Sequence, residues 1–165
     1  MNVYIIVGES NFGKTTVLRH LMAFAHNCKI SSHDINERTI RTINGNDIDV
    51  GLQSDSALQE QNVSYVDYES YINGLSKKPQ NIILALREKG GKIGKKKTGW
   101  DAVDYIAHFV KIGWNVVAVA ALDASGSMNY GLTNPVWQSI QSINNGSYVP
   151  SNKVADDVRK LFGWV

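Results

Sequence analysis

The sequence predicts an α/β domain of three layers, in which a mostly parallel sheet carries helices on both faces and an antiparallel hairpin at one edge. Short apolar runs rich in β-branched residues alternate along the chain with amphipathic segments of helical period. An Asn-Gly dipeptide also separates two runs of alternating residues, which is typical of a hairpin. The 165 residues are 43% hydrophobic and 19% charged, which suits a single globular domain over 1–165.

The strands are predicted from apolar runs that end at glycine or at a polar residue. Alternation on both sides of Asn44-Gly45 predicts the edge hairpin, within 38–53. Continuous apolar composition predicts strands that are buried on both faces; these are 3–7, 81–86 and 116–122.

The helices are predicted from apolar residues spaced three and four apart. They are 14–26, 66–75, 101–112, 133–143 and 151–162. Thr98 is a candidate cap and Gly113 the stop of the third helix. Pro135 suits the first turn of the fourth, and Ser151 suits the cap of the last. The last two are expected to be short helices that cover the sheet.

Composition excludes several classes of protein. The formal net charge of +2 gives no global electrostatic argument for binding nucleic acid. A lone cysteine, Cys28, excludes an internal disulfide and a zinc site with several cysteines. The first residues have no basic region before their short apolar run, so neither a signal peptide nor a membrane span is expected. These features favour a cytoplasmic protein with no membrane partner.

The segment "GESNFGKT" at 8–15 satisfies the pattern G-x-x-x-x-G-K-[ST] between a predicted strand and a predicted helix. Gly8 and Gly13 permit backbone angles and close approaches that let successive N–H groups point at phosphate oxygens. Lys14 can reach the β- and γ-phosphates, and the Thr15 hydroxyl can ligate Mg²⁺. The residues expected to bind the nucleotide are Gly8, Ser10, Asn11, Phe12, Gly13, Lys14, Thr15 and Thr16.

Through this segment and the elements around it, the chain resembles the P-loop NTPase superfamily over about its first 26 residues. The resemblance implies a P-loop NTPase-like sheet, a bound nucleotide and Mg²⁺. It also implies a carboxylate at the end of a strand beside the loop. Asp55, just after the hairpin, is favoured for this role by strand order, and Asp123, after the apolar run 116–122, is the alternative.

The nucleotide is expected to be ATP more than GTP, because the N/T-K-x-D sequence by which GTPases select guanine is missing. The basic, glycine-rich segment 87–100 has three interpretations. It is a lid in which Arg87 or a lysine offsets transition-state charge, a solvated loop, or a patch for nucleic acid.

Three functions fit these features. The favoured one is a small ATPase or nucleotide-driven switch, with Lys14, Asp55 and Arg87 as its catalytic residues. The second is a phosphotransferase whose acceptor, a small molecule, nucleotide or nucleic acid, lies near Asp34, Glu37 and Asp55. The third is a module that holds nucleotide without turnover and acts through a protein partner or a second copy of the chain.

Overall fold

A computed structural model describes residues 1–22, 35–52, 56–90, 92–93, 96–97, 99–123, 125–127 and 136–165. The helices are α1 (Lys14–Met22), α2 (Tyr65–Gly74), α3 (Ala102–Lys111) and α4 (Ser151–Phe162), with a short 3₁₀ helix at Leu58–Gln61. The strands are β1 (Asn2–Gly8), β2 (Asn36–Arg41), β3 (Asp47–Leu52), β4 (Asn81–Leu86), β5 (Lys92–Ile93), β6 (Lys96–Lys97), β7 (Asn115–Asp123), β8 (Val136–Gln141), β9 (Ile143–Asn144) and β10 (Ser147–Tyr148). None of the helices in these ranges is long and apolar enough to cross a bilayer.

Six strands form the main sheet in the order β2-β3-β4-β1-β7-β8. The strand β2 pairs antiparallel with β3 at one edge, and the other neighbouring pairs are parallel. The α/β class, the mostly parallel sheet and the edge hairpin are therefore confirmed. From β4 the chain crosses to the other side of β1, and open α/β sheets bind ligands outside the carboxyl ends of their strands at such a point.

Helices cover both faces of this sheet, and the side chains of β1 alternate between them. Tyr4 and Ile6 pack toward α1 and α4 in one apolar cluster. Val3, Ile5 and Val7 pack toward α2 and α3 in the other. This alternation follows from the two-residue period of a strand. We call the two sides the α1/α4 face and the α2/α3 face.

The predicted helix at 133–143 is wrong where the structure describes it. Residues 136–141 form strand β8, which pairs in parallel with β7 from Val136 to Gln141. The segment carries β-favouring Val136, Trp137 and Ile140, and pairing with β7 satisfies its backbone groups. Pro135 lies outside the described residues.

The remaining predicted helices and strands are confirmed within the described residues, with small shifts at their ends. Helix α1 is described only to Met22, so 23–26 lie outside the described residues. Helix α3 begins after Asp101 rather than after a cap at Thr98, which is itself outside the described residues, and Gly113 follows its end with φ +82°. Helix α4 covers the predicted 151–162, with Pro150 as its N-cap residue in place of Ser151.

The C-terminal end of α4 is held by an aromatic cluster of Tyr4, Phe162 and Trp164, whose ring centroids lie 4.9 to 5.2 Å apart. Along its length α4 lies against α1, where the Arg159 guanidinium donates to the His20 carbonyl at 2.9 Å. The two helices therefore bring their N-terminal ends to the same edge of the sheet.

Candidate functional site

Two residues of the loop between β1 and α1 have left-handed backbone conformations. Gly13 lies in the left-handed region at φ +83°, and Asn11 also has a positive φ of 67°. At Gly8 a Cβ atom would lie 3.0 Å from the Leu122 carbonyl oxygen, a tight contact that favours glycine where β1 pairs with β7. The chain turns directly from the sheet into α1, and the Val17 amide bonds to the Gly13 carbonyl at 2.9 Å.

Lys14 lies across this loop. Its Nζ donates to the Glu9 carbonyl oxygen at 2.7 Å, and the residue is only 6% exposed. Burial lowers the pKa of its ammonium group, and the carboxylate of Glu60 partly opposes this shift. An ammonium group that is removed from water in this way gains free energy when an anion comes within reach.

An open cavity of about 740 Å³ lies above the loop. Its size is within the range of small-molecule sites. The predicted nucleotide-binding residues contribute most of one side, with the exception of Gly8 at the end of β1. The cavity is lined by Ser10, Asn11, Phe12, Gly13, Lys14, Thr15, Thr16, Val17, Glu60, Arg87, Ser142, Tyr148, Val149, Pro150, Ser151 and Val154.

Arg87, at the end of β4, is held over the loop by contacts with two separate segments. Its Nη2 donates to Ser10 Oγ at 2.7 Å, and its Nε pairs with Glu60 Oε1 at 3.0 Å. The buried side chain of Gln59 accepts from the Arg87 amide and donates to the Arg87 carbonyl, both at 3.0 Å. The structure thus brings Arg87 to the predicted phosphate loop and fixes its backbone.

Glu60 and Gln59 are functional candidates that the sequence did not reveal. They belong to the 3₁₀ helix, which follows no recognised motif, and Glu60 is the carboxylate among the described lining residues. Their role depends on contact with Arg87, 27 and 28 residues further along the chain. No local pattern encodes a contact over that separation.

The structure describes one of the two candidate metal acids. Asp55 lies outside the described residues, and β3, which precedes it, is separated from β1 by β4. Asp123 ends β7, which pairs directly with β1, and it is 4% exposed. Its carboxylate accepts from the Gly126 amide, which is also the contact expected of a residue that stabilises a turn.

Carboxylates converge where β1, β4 and β7 end. The pKa of Glu88, next to Arg87, is raised by its partial burial and then by the charges of Glu9, Asp123 and Asp101, with Lys89 opposing. In the described ranges no three His, Cys, Asp or Glu side chains come together as a metal cage. Mg²⁺ that is bound through nucleotide phosphates needs only one or two protein carboxylates; Thr15 lines the cavity, whereas Asp123 is not among its lining residues.

Other predicted positions lie away from the cavity or outside the description. Glu37 is on edge strand β2 and pairs with Lys77 at 3.0 Å. Asp34 is outside the described residues. In the basic segment 87–100, the backbone at 92–93 and 96–97 forms the antiparallel pair β5–β6, while the side chains of 91–98 lie outside the description. The lid therefore stays a prediction.

No protein-family model, curated protein or solved structure matches this chain. The function of the chain is therefore inferred from the geometry of the site.

Proposed function

We propose that this chain is a P-loop NTPase-like protein that binds ATP with Mg²⁺ and hydrolyses it, acting as a small ATPase or nucleotide-driven switch. The observation that carries the proposal is the 8–15 loop itself. It opens α1 with Gly13 and Asn11 in left-handed conformations and Lys14 spanning the loop beneath a cavity large enough for a nucleotide.

The composition of the first turn of α1 favours the binding of an anion at the 8–15 loop. It contains no acidic residue, and the glycine before it has no side chain with which to cap the helix. The positive end of the helix dipole therefore lies at the cavity, which Gly13, Lys14 and Thr15 line. On binding, phosphate oxygens would replace the Glu9 carbonyl as the acceptor for Lys14, whose buried charge then gains a full anionic partner.

The remaining groups have separate roles in this proposal. Mg²⁺ would neutralise charge on the β- and γ-phosphates, held by the Thr15 hydroxyl and by a carboxylate. We favour Asp123 over Asp55 for that carboxylate, because β7 pairs with β1 and β3 does not. The Arg87 guanidinium offsets the charge that develops on the γ-phosphoryl group. Glu60 acts as a positioning residue that keeps the Arg87 guanidinium over the loop.

The test is Mg²⁺-dependent phosphate release from ATP, combined with calorimetric titration of ATP, for the parent chain, Lys14→Ala and Lys14→Gln. Losing a buried charged donor to phosphate is expected to weaken ATP binding by about 30-fold or more and to abolish turnover. Lys111→Ala, at the exposed end of α3 on the far face, is the control and is expected to behave as the parent does.

Each result has a distinct meaning. Lys14 variants that are folded by circular dichroism and bind ATP as well as the parent does would refute the proposal. ADP formation that requires an added nucleoside or oligonucleotide 5′-hydroxyl, with the γ-phosphate recovered on that acceptor rather than as free phosphate, would indicate a phosphotransferase. Tight binding with no turnover under any condition would indicate a module that holds nucleotide for a protein partner.

A further inference from the structure

The second wall of the cavity differs in character from the wall that holds Arg87. It is formed by residue 142, the hairpin β9–β10 and the first turn of α4. Its lining side chains are Ser142, Tyr148, Val149, Pro150, Ser151 and Val154, which include no charged group. If the 8–15 loop binds phosphates, as proposed above, this wall is where the rest of the nucleotide can lie.

The hairpin presents Tyr148 to the cavity from a fixed base. Asn145 and Gly146 both have positive φ, as a tight two-residue hairpin turn requires. The Ser142 amide donates to the Asp123 carbonyl at 3.0 Å, and the Val149 amide donates to the Ser142 carbonyl at 2.9 Å. The ends of the hairpin are thus tied to the end of β7, while Tyr148 itself remains 65% exposed.

An exposed tyrosine at this position does not serve the core. Tyr148 belongs to neither apolar cluster of the sheet, and β9–β10 forms a two-stranded sheet separate from the main one. Aromatic rings that are anchored by the backbone and open on one face are suited to stacking on a planar base. Pro150 and Val149 add apolar surface on the same wall.

Ser142 supplies an independent sign of a ligand on this wall. It is 3% exposed, and its hydroxyl has no hydrogen-bond partner within the part of the chain that the structure describes. A buried hydroxyl without a partner costs free energy, and native proteins keep few of them. A rotation about the Cα–Cβ bond of this cavity-lining residue would offer one donor or acceptor to the edge of a base.

We propose that this wall is a purine-base subsite. The base of the bound nucleotide stacks on Tyr148 and packs against Pro150 and Val149, and the Ser142 hydroxyl bonds to its edge. The phosphates lie across the cavity in the 8–15 loop. This inference depends on the proposed nucleotide function and adds the residues that recognise the base.

Calorimetric titration with Mg-ATP and with Mg-tripolyphosphate separates the base from the phosphates. Tyr148→Ala is expected to weaken ATP binding by about tenfold and to leave tripolyphosphate binding unchanged, because the latter has no base to stack. Tyr148→Phe keeps the aromatic face and should bind ATP within about twofold of the parent. Val66→Ala, which truncates an exposed side chain of α2 on the opposite face, should change neither titration.

Ser142→Ala gives a signature that a purely structural role would not produce. Removing an unpartnered buried hydroxyl should raise the melting temperature of the free protein, because a desolvation cost is lost. The same variant should weaken ATP binding by about two- to tenfold and leave tripolyphosphate binding unchanged.

The results distinguish this inference from the function on which it depends. One outcome is that the parent binds ATP and tripolyphosphate and Lys14→Ala binds neither, while Tyr148→Ala binds ATP as tightly as the parent does. In that case the base subsite is wrong and the phosphate site is retained. Equal losses of ATP and tripolyphosphate in a folded Tyr148→Ala variant would also overturn the subsite. If the parent binds neither ligand, the proposed function fails and the subsite fails with it.

Discussion

The four α-helices in the described part of the chain begin in two different ways, according to the face of the sheet on which they lie. On the α2/α3 face, an acidic side chain in the first turn closes back on the N-cap amide. Asp67 Oδ2 accepts from the Ser64 amide at 3.2 Å, and Asp104 Oδ2 accepts from the Asp101 amide at 2.8 Å. On the α1/α4 face, neither helix has an acidic residue in its first turn, and α4 has no side-chain cap.

This difference has a physical meaning. The first amides of a helix need acceptors, and those of α2 and α3 find some of them within the chain. Both helices without such an acid begin at the cavity, where Lys14 and Ser151 are among its lining residues. A helix start with no acidic residue in its first turn is a favourable place for an anion. The two helices on the α2/α3 face thus satisfy part of their first turns with a carboxylate of their own, and the two helices on the α1/α4 face do not.

The largest loss of stability is expected when a large buried side chain on the α2/α3 face is truncated. Phe109 is fully buried, stacks on Trp114 with ring centroids 4.9 Å apart and contacts Tyr68. Phe109→Ala should lower the free energy of unfolding by about 3–5 kcal/mol in urea denaturation. Val110→Ala, one position along on the exposed side of α3, should change it by less than about 0.5 kcal/mol. Similar values for the two variants would contradict a tightly packed α2/α3 face.

On the other face, Gly13→Ala tests the loop conformation. The added Cβ would meet nothing within 4 Å, so only the positive φ of 83° opposes it. We expect a loss of about 1–2 kcal/mol of unfolding free energy and weaker tripolyphosphate binding. Gly74→Ala, also in open space but without a positive φ, should be neutral or stabilising. An unchanged Gly13→Ala variant would mean that the left-handed turn is not required.

Paired serine substitutions compare the helix starts directly. Ser64→Ala removes the cap of α2 and should cost about 1 kcal/mol of unfolding free energy. Ser151→Ala, at the start of α4, should cost less than about 0.5 kcal/mol, because its hydroxyl caps no amide and contacts the exposed His20. Equal costs, measured by urea denaturation at pH 7, would remove the distinction between the faces.

The α2 cap should also depend on pH. Hydrogen bonds from Ser64 hold the pKa of Asp67 below its ordinary value of 3.8. A lowered acid pKa contributes stability above the unfolded-state value, and that stability is lost as pH falls through the folded-state value. The cost of Ser64→Ala should therefore shrink below about pH 3.8; a cost that is constant from pH 7 to pH 2 would argue against the ionised cap.

The smallest effect concerns the acids at the strand ends. Burial and the carboxylates of Glu9 and Asp123 raise the pKa of Glu88 above its ordinary value of 4.5. A raised acid pKa means that stability is lost as pH rises through the folded-state value. Glu88→Gln should therefore have a slightly higher melting temperature than the parent at pH 7 and the same one well below pH 4.5. A lower melting temperature at pH 7 would contradict repulsion among these acids.

Much of the fold could be predicted because its signals are local. Short buried strands, the Asn44-Gly45 turn and the period of α3 are each encoded within a dozen residues. Strand β8 was missed because its 136–141 segment is short and becomes a strand by pairing with β7. The hairpin β9–β10 also has a local signal, the dipeptide Asn145-Gly146 between Ile143 and Tyr148.

The sequence by itself determined the β1-loop-α1 unit, since glycine geometry and helix amides operate within a few neighbouring residues. The tertiary structure alone decided which groups face that loop. Arg87 forms a hydrogen bond with Ser10, 77 positions away in the sequence. Tyr148 lines the same cavity from the hairpin that precedes α4. Contacts between residues so far apart in the sequence depend on the order of the strands in the sheet. That order is set by the packing of the whole sheet rather than by any short segment.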